Sequence, residues 1–227
     1  MAIKRLVFIV AGGPLGDGEF FRAQVAALNP VELICADGGA CHVYALGFIP
    51  HAVIGDMDSV DPNTLKSCEE QGSRIVRHSR DKKETDTQLA LEYALGSVPD
   101  EIRIYGALGG RIDHTLANIS LLVTAVKRDV AAKLVDEWCE VFVIARQAVI
   151  EGTPGQTISL LPLSSAVSGI ELQGFEYPLS GGTMEIGNPY GISNRLQADR
   201  GVIALESGYL LVVKYHQAES FPGGESG

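Results

Sequence analysis

No apolar run in this 227-residue chain is long enough to cross a bilayer; the longest, such as 6–11 and 121–126, stop far short of that length. Lys4 and Arg5 precede the first run, as in a signal peptide, but it is too short and ends in Gly12, Gly13 and Pro14. It reads as a first strand. The four cysteines (Cys35, Cys41, Cys68, Cys139) form no CxxC pair and have no histidine at metal spacing, so they read as small core residues in a reducing, cytoplasmic setting. Positive charge is scarce. Lys and Arg number 18 against 28 Asp and Glu, a net charge of −10, which argues against a broad nucleic-acid surface. The phosphate-loop signature GxxxxGK[ST] is absent, as are internal repeats and long linkers. What the chain does have is 46% hydrophobic content, ample for a packed core in one large domain or two small ones.

The first part alternates strand-like and helix-like segments. Strands are expected at 5–10, 31–36, 52–54, 74–77, 102–105 and 133–136, and helices at 20–28, 41–46 and 62–71, the last capped by Asp61 and stopped at Gly72. Thr85 and Gln88 have capping-box spacing and open another helix, placing Asp86 in its first turn. Asp113 reads as the N-cap of a helix on which Leu116, Ile119, Val123 and Val126 form one stripe. Leu121, Leu122 and Ala125 fill its flanks, so this helix is expected to be buried almost all round. Alternation of this kind predicts an α/β domain with a parallel, Rossmann-like sheet over residues 1–140. From 141 to 227 the texture changes to short β-type runs separated by Gly, Pro, Ser and Asn, which predicts an antiparallel β-sandwich. The tail from Glu219 is expected to be mobile.

The chemistry concentrates at strand ends. Asp56 and Asp58 follow the run Ala52-Val53-Ile54-Gly55 at period two, so in an extended chain both carboxylates point the same way. Like charges held that close need a cation or a shared proton, and hard oxygen donors suit Mg²⁺. A plain Gly-Asp-Ser surface turn is the alternative. Asp37-Gly38-Gly39 and the Gly106–Asp113 loop also follow strands directly, and in open α/β sheets such loops meet at one rim. Asp86 could lie beside them, although complementing the helix dipole is the commoner fate of such a residue. Lys82, Lys83 and Arg111 could neutralise phosphate charge, or could belong to a solvated loop and a helix start. His114 has no assigned role.

Taken in order, Ala36-Asp37-Gly38-Gly39-Ala40, Gly55-Asp56-Met57-Asp58-Ser59, Lys83-Glu84-Thr85-Asp86 and Gly109-Gly110-Arg111-Ile112-Asp113-His114 resemble the thiamine pyrophosphokinase family. The stretch Gly191-Ile192-Ser193-Asn194 is similar to that family's C-terminal signature. The resemblance covers nearly the whole chain. It implies a homodimer with active sites at the interface, ATP and thiamine as small-molecule partners, and transfer of a diphosphate from ATP to the thiamine hydroxyl. By motif, Asp56, Asp58 and Asp86 would bind Mg²⁺, and Asp37 and Asp113 would orient the metal shell or the hydroxyl. Lys83, Arg111 and Lys82 would contact phosphates, with Gly38, Gly39, Thr85 and Gly110 in the same nucleotide site. Ser193 and Asn194 would hold the pyrimidine, with Tyr190 as the aromatic packing on thiamine. Three rivals stand beside this reading: a pyrophosphokinase acting on a hydroxymethyl pterin, a nucleotide-sugar glycosyltransferase with an Asp-x-Asp metal motif, and a non-catalytic sensor.

Overall fold

The computed structural model describes residues 5–188 and 190–217, so the tail expected to be mobile lies outside the described residues. The chain divides into two compact units, Met1–Glu137 and Trp138–Gly227.

The first unit is built from β1 (Leu6–Val10), α1 (Gly18–Leu28), β2 (Glu32–Ala36), α2 (Gly39–Ala45), β3 (Ala52–Gly55), α3 (Pro62–Glu70), β4 (Arg74–Arg77), α4 (Asp86–Leu95), β5 (Glu101–Tyr105), α5 (Ile112–Val126) and β6 (Ala131–Val135). Its six strands pair in parallel in the order β6-β5-β1-β2-β3-β4. Parallel pairing requires a crossover between successive strands, which is why a helix separates almost every pair. Both sheet faces are covered at the centre, so β1 and β3 are apolar and buried at every position, while the edge strand β4 is flanked by exposed arginines. Phe8, Val10, Cys35 and Val53 pack on one face with Phe21 of α1, Val43 of α2 and Leu65 of α3. Strand alternation sends Ile9, Ile34 and Ile54 to the other face, and α4 packs against β1, β2 and β3. The chain runs from β1 outward through β2, β3 and β4, then crosses to β5 on the opposite side. The strand order therefore reverses between β1 and β5, where ligand crevices form in open α/β sheets.

The second unit contains β7 (Cys139–Ile144), β8 (Gln147–Glu151), β9 (Thr157–Pro162), β10 (Ala166–Gln173), β11 (Leu179–Glu185), β12 (Asn194–Arg195), β13 (Arg200–Ala204) and β14 (Leu210–Tyr215). Antiparallel pairing gives two layers, β12-β9-β14-β7 and β11-β10-β13-β8. Ile158, Leu160 and Val212 of one layer share a core with Ile150, Ile170 and Ile203 of the other. This is a β-sandwich, and the whole is the α/β-plus-sandwich class expected from the sequence. The four cysteines are free thiols, three of them buried. Among the described residues, no helix is long and apolar enough to cross a membrane.

Two local expectations are corrected. Asp113 is not the N-cap of α5; Arg111 occupies that position, and Asp113 lies one residue inside the helix with its carboxylate turned onto the Arg111 guanidinium. Nor is α5 buried all round: its buried face is Asn118, Leu122 and Ala125, while Ile112 and Leu116 are exposed at 74% and 60%. The composition of α5 suggested full burial, but covering it all round would need a further layer on its outer side. The capping box at α4 is half formed. Thr85 Oγ1 accepts from the Gln88 N–H at 3.1 Å, but the Gln88 amide turns to Glu92 Oε1 at 3.2 Å instead of reaching back.

Candidate active site

A cleft of about 430 Å³ opens at the carboxyl ends of the parallel strands. Its walls come from Ala11–Pro14 after β1, Ala36–Gly38 after β2, Ser59 after β3, Thr85–Thr87 at the start of α4, and Gly106, Ala107, Gly109 and Arg111 after β5. His114 and Asn118 of α5 complete it. The strand reversal opens this space because the loops after β1 and β5 leave in opposite directions.

At the end of β3 the chain turns at once. Met57 takes a left-handed φ of 65°, and Asp56 Oδ1 accepts from the Asp58 N–H at 3.2 Å. The carboxylates of Asp56 and Asp58 therefore converge through a side-chain-closed turn, not through the alternation of an extended strand. Asp37, itself at φ 40°, is 2% exposed. Its two carboxylate oxygens accept from the backbone N–H groups of Val60 at 3.0 Å and Ser59 at 3.1 Å, which ties the end of β2 to the Asp56–Ser59 turn. Burial pushes the Asp37 carboxyl above its usual range, partly offset by those two donors, while the neighbouring Asp86 and Asp56 charges raise it further.

Among the described residues, one carboxylate group is close enough to hold a metal ion: oxygens of Asp37, Asp56 and Asp58 lie within 4.8 Å of one another. Asp86, which sequence reading placed with Asp56 and Asp58, stands against the same group. A Cβ added at Gly55 would come within 2.9 Å of both Asp37 Cβ and Asp86 Oδ1, so only glycine lets these side chains close in. Lys82 lies between them, its Nζ 2.9 Å from Asp56 Oδ2 and 2.8 Å from Asp86 Oδ1. Asp86 Oδ1 is buried without a well-aligned hydrogen bond, so that second contact is an ion pair by distance. The Lys82 ammonium lowers the Asp56 pKa. The Lys82 pKa is itself raised: desolvation pulls it down, but the two carboxylates beside it, Asp86 and Asp56, outweigh that effect.

The donors are all hard carboxylate oxygens, from the ends of β2 and β3 and the start of α4, and one of them, Asp86 Oδ1, is buried with no hydrogen bond of good geometry. These residues fit Mg²⁺. Arg111 and Asp113 are exposed and face each other at 2.5 Å, which holds the Asp113 pKa at about 2. Lys83 is exposed, whereas Gly38, Thr85 and Arg111 line the cleft. Gly39 and Gly110 flank it, the first opening α2 and the second following Gly109 at φ 66°.

In the second unit the residues expected to hold a ring behave unequally. Ser193 is exposed at φ 59° with its N–H on Ser159 Oγ. Asn194 is buried and its amide is already engaged: Oδ1 accepts from the N–H groups of Tyr177 and Arg195, and Nδ2 donates to the Tyr177 carbonyl. Tyr190 is exposed, with its hydroxyl donating to the Thr183 carbonyl. Tyr177 is 63% exposed while both polar groups of its backbone are held by Asn194.

Residues 28–134 match the family model described as thiamin pyrophosphokinase, catalytic domain, and residues 146–210 match thiamin pyrophosphokinase, vitamin B1 binding domain. Thiamine pyrophosphokinase of Bacillus subtilis is 32% identical over 183 residues, covering 80% of this chain and 86% of that protein. The chain belongs to the thiamine pyrophosphokinase family. The crystal structure of the Bacillus subtilis thiamine pyrophosphokinase superposes with a TM-score of 0.82 at 30% identity, over 93% of this chain and 99% of that one. The thiamin pyrophosphokinase of Geobacillus thermodenitrificans gives a TM-score of 0.81 at 26% identity, over 95% and 100%. Of the cleft residues, the sequence reading did not name Asn118 and left His114 without a role; it did not single out Tyr177 in the second unit. Nothing local marks Tyr177, because the residue that fixes its backbone lies 17 positions away.

Proposed function

We propose that the protein transfers the β,γ-diphosphate of ATP to the hydroxyl of thiamine, giving thiamine diphosphate and AMP, with Mg²⁺ held by Asp37, Asp56 and Asp58 and by Asp86 beside them. The observation that carries this reading is the meeting of Asp37, Asp56 and Asp58, with Asp37 itself on the wall of a glycine-lined cleft at the strand reversal. Mg²⁺, when bound, would supply charge neutralisation on the transferred diphosphate. The glycine loops at Gly38–Gly39 and Gly109–Gly110 let backbone approach the nucleotide closely, and Arg111 lies on the cleft wall to meet phosphate charge. Catalysis then rests on positioning and charge stabilisation, since phosphoryl transfer asks little covalent chemistry of the protein.

Asp113, with a pKa of about 2 while paired with Arg111, is a weak proton acceptor at neutral pH. A phosphate that recruits Arg111 would release Asp113 and raise its basicity, which couples nucleotide binding to the fitness of this carboxylate as a base. Each Asp37 oxygen accepts one backbone N–H and keeps a lone pair, so Asp37 positions the Asp56–Ser59 turn as well as lending an oxygen to the metal group. Lys82 and Lys83 supply cations from the loop before α4. The family resemblance supports a cytoplasmic homodimer, with residues 1–140 as the nucleotide and metal part and 141–227 as the thiamine-binding part.

On the thiamine side, Tyr177 is a better ring platform than Tyr190, because its ring is exposed while its backbone is fixed. Ser193 remains available for a polar contact, and Asn194 acts by holding Tyr177. Asn194→Ala is expected to raise the KM for thiamine about tenfold with the KM for ATP nearly unchanged, and to cost about 1–3 kcal/mol of stability from stranded backbone groups. Tyr177→Ala should raise the thiamine KM as much while leaving the melting temperature near wild type. A wild-type thiamine KM in Tyr177→Ala would remove the residue from the site.

The function itself is tested by following AMP release from ATP with Mg²⁺, with and without thiamine, and with a hydroxymethyl pterin in its place. AMP formation that saturates with thiamine is expected. Saturation with the pterin alone, or thiamine binding with no AMP, would overturn the reading.

A further inference from the structure

Four carboxylates crowd together, Asp37 and Asp86 of them on the cleft wall, and one ammonium sits among them. Asp37, Asp56 and Asp58 approach within 4.8 Å, and Asp86 closes in behind Gly55. Lys82 Nζ bridges Asp56 and Asp86 at 2.9 and 2.8 Å, with its side chain only 11% exposed. The other cation near the group, Arg80, reaches Asp58 from outside at 3.8 Å and is largely exposed. Carboxylates this close repel unless a cation stands among them.

We propose that Lys82 is a built-in counter-ion that holds the cation position of this site in the metal-free protein and must leave when a divalent ion arrives. The inference rests on the reading of the aspartate group as a metal site. Lys82 and a divalent ion compete for the same oxygen atoms, Asp56 Oδ2 first among them. A bare divalent ion therefore binds against the cost of expelling an ammonium from a largely buried pair. A nucleotide offsets that cost, because its phosphates give the released ammonium a new partner. Metal and nucleotide consequently bind with positive coupling, and each raises the affinity for the other. Lys82 precedes α4 in the connecting loop after β4, where a change of side-chain direction does not disturb the sheet.

Mn²⁺ serves as the probe. Free Mn²⁺ measured by electron paramagnetic resonance, without nucleotide, should show Lys82→Met binding the ion at least about tenfold more tightly than wild type. The melting temperature of Lys82→Met in chelator should fall below wild type, and added Mn²⁺ should restore it. On the wild-type protein, acetylation of lysines read by mass spectrometry should show Lys82 protected in chelator and modified faster with saturating Mn²⁺. Lys83, exposed in either state, is the internal control. If Lys82→Met fails to fold even with Mn²⁺, the wild-type labelling decides alone. Equal or weaker Mn²⁺ binding by the variant, or Lys82 labelling that ignores Mn²⁺, overturns the inference and leaves the metal site standing. Absence of Mn²⁺ binding in both proteins overturns the metal site as well.

Discussion

Asp56→Asn is expected to lower kcat/KM for ATP-dependent AMP formation by at least about a hundredfold, with the fold unchanged. The substitution keeps the shape and leaves an oxygen to accept from the Asp58 N–H, so the turn that brings Asp56 and Asp58 together survives. What disappears is one negative charge at the centre of the group, 12% exposed and in direct contact with Lys82. Excess Mg²⁺ should recover part of the loss. Asp61→Asn is the matched control: Asp61 caps α3 through the Thr64 N–H, a task asparagine performs equally well, and it should behave as wild type. Steady-state rates across a Mg²⁺ titration, with circular dichroism on each variant, decide the matter. Wild-type rates in Asp56→Asn at limiting Mg²⁺ would remove the carboxylate from the metal site.

Gly39→Ala carries the largest expected loss of stability. A Cβ there would stand 2.0 Å from the Val10 carbonyl oxygen and 2.7 Å from its carbon. Both are backbone atoms of the central strand β1, which has nowhere to move between its neighbours. The start of α2 would have to lift, taking with it the Asp37–Gly38 wall of the cleft. Overpacking of this kind costs about 1–3 kcal/mol, a fall of roughly 2–12 °C in Tm for a chain of this size. ATP affinity should fall with it. Gly12→Ala provides the contrast, because its Cβ would meet the nearest atoms at an ordinary 3.7 Å. Equal melting temperatures for the two variants would show that β1 and α2 separate more easily than their packing implies.

Much of the first unit could be read from local pattern. A buried parallel strand must be apolar on both faces, and a crossover helix must start at a cap, so the strands through 6–10 and 52–54 and the caps at Asp61 and Thr85 emerge from composition and spacing alone. Asp37, Asp56 and the Gly106–Asp113 loop were legible as a rim because each follows a strand. Asp113 as an N-cap failed because the same carboxylate had a stronger partner two residues back, and a charge-assisted pair with Arg111 outcompetes a cap bond to a backbone amide. The expected burial of α5 failed because composition says how much apolar surface a helix has, but not how many sides its neighbours cover.

The order and kinds of elements, the acidic character of the site and the family signature follow from the sequence by itself, because each is carried by residues within a turn or two of one another. Which oxygens meet, where Lys82 settles, and why Asn194 holds Tyr177 instead of a ligand were decided only by the tertiary structure. These are distances between segments that share no local signal. At this site the interaction that wins is set by which competing partner the fold brings closest and how little water it leaves between them.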